Sequence, residues 1–316
     1  MAKDKITEYD ATAANNTVVG DVNLAENSSL PSDMNNAVRE VMSHLKAFSD
    51  GTDAITGLTV DGNIKLDGNY PTGTGNVAMG DGALDDGSLS GNFNTAIGDN
   101  ALSANTSGAS NTAIGNDAGI SNTTGFQNVF VGDTAGDANT TGAAVVAVGY
   151  GALGSNTTAS NNTALGYQTA FNNTTGGNLV ATGHQALYTN STGNDNSAFG
   201  WQALYSNTTA SNNTAVGFKA LYANTTGANN VAVGSAAGDA ITTGADNTVV
   251  GKNAGGALTT PNQNCLIGSG AGSAITTGAN NTVIGGYNGN TGGLDIRTSS
   301  NRIVLSDGDG NYHLIS

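Results

Sequence analysis

Along most of the chain the apolar residues come in a short recurring phrase and not in helical stripes. Asn213-Thr214-Ala215-Val216-Gly217 returns as Asn230-Val231-Ala232-Val233-Gly234, and the closing glycine recurs every 17 residues from Gly98 to Gly285. Gly80 precedes that series at a spacing of 18, the extra residue falling between Asp85 and Gly91, so thirteen units are visible, the last degenerating into a Gly- and Asn-rich stretch. β-Branched residues ahead of a glycine that tolerates positive φ predict a short strand ending in a turn. The second half of each unit, Ala-Leu and then Asn-Thr-Thr-Gly, predicts another short extended piece and another turn. The frequent glycines oppose a helical repeat, which would need longer 3.6-period runs. Two strands and two turns per unit predict one coil of a parallel β-solenoid or β-roll. The fold class expected is therefore an all-β repeat of about thirteen 17-residue coils, a rod roughly 60 Å long at ~4.8 Å per step.

Reading down the columns adds detail. Four residues before the key glycine stands Asn in eleven of thirteen units, Val145 and Leu179 being the exceptions. Stacked in register, such amides are expected to hydrogen-bond from coil to coil. The strand triplet is uncharged on both of its faces, with Ala, Phe130, Val249, Leu266 or Val283 in the middle and Ile or Val usually last. A strand apolar on both faces is expected to be covered on both. The coil's interior covers one, and the same strand of a neighbouring copy is the simplest cover for the other. This predicts a homo-oligomer of parallel rods around an axis.

The middle coils differ from the rest. Directly after the key glycine stand Tyr150, Tyr167, His184, Trp201 and Phe218 in successive units, and four positions further on Phe171, Tyr188, Tyr205 and Tyr222. Gln168, Gln185, Gln202 and Lys219 occupy the place after the first column. In register these are two aromatic columns beside an amide column. They read either as buried steric ladders, with the amides more exposed than the rings, or as an exposed ridge on which sugar rings stack while amides meet hydroxyls. Leu153, Leu187, Leu204 and Leu221 stand where other units have glycine, which predicts thicker coils here.

One segment reads as a helix. Met34, Val38, Val41, Leu45 and Phe48 are spaced 4, 3, 4, 3, an a/d seam two heptads long with Ser32 or Asp33 as N-cap and Gly51 as stop. Leu58 to Tyr70, broken by two Asp-Gly turns, reads as a neck of short strands. The domain reading is thus an attachment segment over 1–32, a short coiled-coil helix over 33–50, a β neck over 51–75, the repeat rod over 76–292 and a C-terminal β-hairpin over 293–316.

Composition narrows the function. Glycine is 47 of 316 residues, aromatics 5% and charged residues 10%, too little for a thick globular core. A net charge of −15, with no Lys/Arg cluster, argues against nucleic acid or an anionic membrane surface as partner. The start shows no apolar signal segment and no apolar run is long enough to span a bilayer, so neither export nor membrane insertion is expected. The single Cys265 excludes an intrachain disulfide. The three histidines, His44, His184 and His313, form no triad or metal cluster, and no cofactor or metal is expected. Asp81, Asp85, Asp86, Asp99 and Asp117 read as solvated turn residues and not as an acid/base pair. Asp307-Gly-Asp309-Gly-Asn311 copies half a calcium loop and reads as a hairpin turn. The Asn-Thr-Thr triplets match the glycosylation sequon but read as turn chemistry.

The Asn-x-Ala-Ile-Gly phrase resembles the head repeat of trimeric autotransporter adhesins, a left-handed parallel β-roll of three packed chains whose usual period is shorter. The opening Asp-Lys-Ile-Thr-Glu-Tyr-Asp segment, the 34–48 helix and the closing Ser-Ser-Asn-Arg-Ile-Val-Leu-Ser resemble tail-fibre proteins of bacteriophages, especially marine ones. The resemblance implies a homotrimeric fibre on the outer face of the virion, joined through its N-terminus to a tail or capsid-associated protein and attaching to a bacterial surface glycan or receptor without catalysis. A bacterial adhesin or an ice-binding solenoid with flat Thr columns are the alternatives.

Overall fold

The computed structural model describes residues 73–315 and two short strands further upstream, β1 (Val18–Val19) and β2 (Val22–Asn23), which pair antiparallel. The helix expected over 33–50, with its seam Met34, Val38, Val41, Leu45 and Phe48, lies outside the described residues. So do most of the attachment segment and the neck as far as residue 72. The chain divides into two units, residues 1–65 and 66–316, and the second holds the repeats.

Thirteen three-residue strands, β3 (Val77–Met79) to β15 (Thr282–Ile284), stack in sequence order as one parallel sheet. Register is strict: Ala198 stands beside Ala181 on one side and Ala215 on the other. The step from β3 to β4 (Thr95–Ile97) keeps the same pairing, Ala78 beside Ala96, despite its extra residue. This is the parallel β-solenoid of about thirteen coils that the period predicts. Past β15, a small antiparallel pair β16 (Asn290–Thr291) and β17 (Leu294–Asp295) surrounds the buried Tyr287, whose hydroxyl donates to the Leu294 carbonyl at 2.7 Å. The C-terminal hairpin of β18 (Ile303–Ser306) and β19 (Tyr312–Ile315) then closes the sheet, β18 parallel to β15 and β19 antiparallel to β18. Its turn is organised by Asp307, whose Oδ1 accepts the amides of Asp309 and Asn311 at 3.0 and 2.9 Å. Hydrogen bonds from the Asn311 side chain and amide lead the causes that hold the Asp307 carboxyl below its usual range.

Each coil has one strand, not two. The expected second extended piece is replaced by turns, with positive φ at three further positions besides the key glycine. In one coil these are Gly217 (136°), Lys219 (54°), Leu221 (51°) and Asn229 (58°). Left-handed conformation costs an L-residue about 1–2 kcal/mol, so these positions need compensation from burial or hydrogen bonding. The key glycine is needed for space as well as for φ: a Cβ on Gly217 would lie 2.4 Å from the Gly234 carbonyl oxygen.

Compensation at Leu221 comes from the core. The middle strand residue points inward and is fully buried, and it shares the interior with the residue four after the key glycine. Ala147 is matched by Leu153, Ala181 by Leu187, Ala198 by Leu204 and Ala215 by Leu221. Where the strand supplies a large residue the partner is glycine: a Cβ on Gly136 would lie 2.3 Å from the Phe130 ring, and one on Gly272 2.8 Å from Leu266. The strand residue and its partner are thus never both large within one repeated coil design, and in coils such as those of Ala113 with Gly119 and Ala232 with Gly238 both are small.

Two columns of buried asparagines run through the unit. In the expected one, the bonding is mainly side chain to backbone, with amide-to-amide bonds from Asn247 to Asn230 at 3.1 Å and from Asn264 to Asn247 at 3.2 Å. Asn213 Nδ2 donates to the Gly227 carbonyl at 3.0 Å, while its Oδ1 accepts the backbone amide of Asn230 at 2.9 Å. A backbone amide is present whatever the residue, so Val145 and Leu179 still donate to Asn128 and Asn162 at 2.9 Å each. The second column is the Asn of the Asn-Thr-Thr triplets. From Asn105 to Asn224, each Nδ2 reaches the Oδ1 one coil earlier, as in Asn122 to Asn105 (3.0 Å) and Asn224 to Asn207 (2.9 Å). Each also donates to the carbonyl three residues on, as Asn224 does to Gly227 at 2.9 Å. In the next three coils Ile241, Leu258 and Ile275 take over the column. Asn224 Oδ1 is, among the described residues, the buried side-chain polar atom left without a partner.

The candidate binding strip

Both aromatic columns are present, and they are stacked and accessible at once. In the first column adjacent ring centroids lie 5.3 Å apart for Tyr150–Tyr167, 5.1 Å for Tyr167–His184, 6.1 Å for His184–Trp201 and 5.0 Å for Trp201–Phe218. The planes are within 19° of parallel. Tyr150, Tyr167, Trp201 and Phe218 are nevertheless 39–50% exposed. The sequence posed a choice between a ladder and a ridge, and the geometry combines them because stacking runs along the rod while exposure is sideways. Gln168, Gln185 and Gln202 are half-buried, so the amides are less exposed than the rings beside them, the reverse of what a buried ladder implies. They form their own chain: Gln202 Nε2 donates to Gln185 at 3.0 Å and Gln185 Nε2 to Gln168 at 3.2 Å.

The second column is half-buried. Phe171–Tyr188, Tyr188–Tyr205 and Tyr205–Tyr222 stack at 5.8, 5.2 and 5.3 Å. Burial, and then the neighbouring Tyr188 and Tyr222, push the Tyr205 phenol above its usual range. Phe171 is accommodated by Gly154, where a Cβ would lie 2.9 Å from its ring. Asp137 and Asp239 occupy the same coil position beyond the two ends of this column. Burial raises both carboxyls above the ordinary aspartate value, and at Asp239 the charge of Lys219 works against that rise. Sequence reasoning missed these two, although their place in the column was countable.

It also missed the part played by Lys219, whose ammonium lies 4.8 Å from the Tyr222 centroid, 5.1 Å from Trp201 and 5.7 Å from Phe218. The signal was a charged residue in a column of amides. Nothing in this strip has the geometry of nucleophile and base. Among the described residues no three His, Cys, Asp or Glu side chains are grouped to hold a metal ion, and no helix is long and apolar enough to cross a membrane.

The triplet face opposite the core forms a second surface. The third strand position points outward, with Ile114, Leu165, Phe199, Val216, Ile267 and Ile284 between 37% and 45% exposed. The Thr pairs form a third, but only one of each pair is available. Thr123 Oγ1 donates to the Thr140 carbonyl at 3.1 Å and Thr208 Oγ1 to Thr225 at 3.0 Å, leaving Thr124 and Thr209 outward. The chain matches no protein-family model, no curated protein and no solved structure.

Proposed function

We propose that the chain is a structural fibre of a bacteriophage virion, a homotrimeric tail fibre that attaches the particle to the host surface without catalysis. The observation that carries this reading is the outward apolar column on the sheet. An outward column past thirteen strands, apolar in all but β9 (Val180–Thr182), where Thr182 stands, is roughly 60 Å long at ~4.8 Å per strand; that is longer than a soluble monomer ordinarily leaves uncovered, and a cyclic arrangement of copies would cover it on every chain. The resemblance to three-chain β-roll heads sets the number at three. The N-terminal segment fastens the fibre to the virion tail or another capsid-associated protein, and the aromatic strip, on a different side of the coil, faces a bacterial glycan or receptor. A cell-surface adhesin would use the same rod. An ice-binding face is less well supported, because the inner hydroxyl of each Thr pair is already bonded to the next coil.

Mass measurement under native conditions tests the assembly, with three chains expected. Monomer or dimer would overturn the trimer. Binding of the intact fibre to host cells tests attachment. Trp201→Ala is expected to weaken that binding while melting changes little, since substitutions at exposed positions usually fall within about ±0.5 kcal/mol.

A further inference from the structure

Lys219 makes visible what the strip between the two columns can hold. Three rings from two columns and two coils converge on its ammonium, all within the ~6 Å over which an aromatic ring attracts a cation. Because the sheet register repeats strictly and the rings stack in columns, the equivalent rings recur one and two coils earlier. His184, Trp201 and Tyr205 stand around the place of Gln202 as Trp201, Phe218 and Tyr222 stand around that of Lys219. Tyr167, His184 and Tyr188 do the same at Gln185. At those places the chain supplies a neutral amide, so the rings have no cation of their own.

We propose that this strip binds organic ammonium groups, with Lys219 as the built-in occupant of its last cradle, and that at Gln202 and Gln185 a ligand's ammonium takes the place of the neutral amide, which swings aside. The proposal rests on the attachment reading in one respect, in that it names the chemical group through which attachment would occur. Three features favour a cation over a neutral sugar. Ring centroids 5.0–6.1 Å apart exceed the ~3.5–4 Å contact distance of carbon atoms, so the rings are slipped and part of each negatively polarised face looks out of its column. Full faces on which a sugar could lie flat occur only at the column ends. The chain's charge of −15 attracts cations over a distance, and Asp239 lies close enough to Lys219 to feel its charge. Quaternary and alkyl ammonium groups suit such a site because they lose little hydration on contact with rings. A choline-type headgroup and a lysine side chain present the same chemistry.

Trp201 is the only tryptophan and borders two of the cradles, so its fluorescence reports on them directly. The folded fibre would be titrated at constant ionic strength with tetramethylammonium, phosphocholine and Nα-acetyl-lysine amide, and in parallel with 3,3-dimethylbutanol, the uncharged shape-mimic of choline. A saturable change with the cations and none with the alcohol is expected. The phosphocholine and lysine arms tell which source is preferred. Tyr205→Ala removes one wall and is expected to weaken binding about two- to five-fold, the value of one exposed cation–ring contact. Its melting curve checks that the rod is intact. Lys219→Ala vacates the last cradle and is expected to raise the number of ammonium groups bound, whereas Lys219→Met keeps it filled and leaves the number as it is. An equal response to the alcohol, no response to any cation, or identical behaviour of the two Lys219 variants would overturn the proposal. A fibre that binds ammonium but not cells would overturn attachment alone, and one that binds cells but no ammonium would overturn only this inference.

Discussion

Phe130 takes the middle place of its strand, where neighbouring coils have alanine, and glycines at 119 and 136 make room for its ring. The pairing of large with small is therefore a rule of the coil that can be tested by exchange. Phe130→Ala alone is expected to cost about 3–5 kcal/mol, as truncating a buried aromatic does. Gly136→Leu alone forces a side chain into the ring. Together they recreate the Ala147 and Leu153 arrangement, whose leucine already sits at a φ of 53°. Denaturant unfolding should show the double variant far less destabilised than the sum of the singles, and simple additivity would refute the rule. Asp137 gives a pH prediction at the same scale. Its carboxyl is raised in the folded rod by burial, so its contribution is most favourable below the unfolded value near 3.8 and is lost as pH rises through the folded value. Asp137→Asn keeps an acceptor for the Ala138 amide and is expected to melt higher than the parent at neutral pH, the gap closing toward pH 4. A gap independent of pH would contradict this.

The second asparagine column shows what holds one coil to the next, and where that device stops. Asn224 ends it with an unpartnered oxygen because Ile241 follows. Ile241→Asn would offer that oxygen a donor, whereas Leu258→Asn, flanked by Ile241 and Ile275, would find none in its column. Thermal unfolding should therefore show the first tolerated better by about 1–3 kcal/mol, the cost of a buried unsatisfied group. The strand triplet and the first asparagine column were legible in the sequence because period and residue type both survive folding unchanged. The turns were not. Leu153, Gln168 and Leu221 carry no sign of their positive φ, since burial in the coil outweighs a preference that is read one residue at a time. The aromatic strip was legible as two columns, but its exposure was not, because stacking along the rod says nothing about what lies to the side. The role of Lys219 depended on a distance, which spacing cannot supply.

On the scale of the repeat unit, the outward apolar column and the closing hairpin set the remaining expectations. Val216→Glu changes no core contact but places a charge on the face proposed to pack between copies, so light scattering should report smaller assemblies with the fold intact by circular dichroism. Unchanged mass would remove that face from the interface. The strict register has a further consequence, for heredity. The ladders between equivalent positions join residues 17 apart, as Asn122 to Asn105 and Thr123 to Thr140 do, and the other bonds between coils keep fixed offsets such as the 14 from Asn213 to Gly227. A crossover between neighbouring repeats in the gene therefore removes or adds a whole coil and leaves all the ladders joined. Loss of residues 197–213 would set Thr214 behind Asn196 and lay Phe218 directly on His184. Slippage by another number of residues has to be absorbed within a turn, as the extra residue before Gly91 is, for the strands to stay in line. The number of coils is thus a trait that can change in one event with the ladders kept, and such an event inside the aromatic coils changes the length of the sheet and of the two ring columns together.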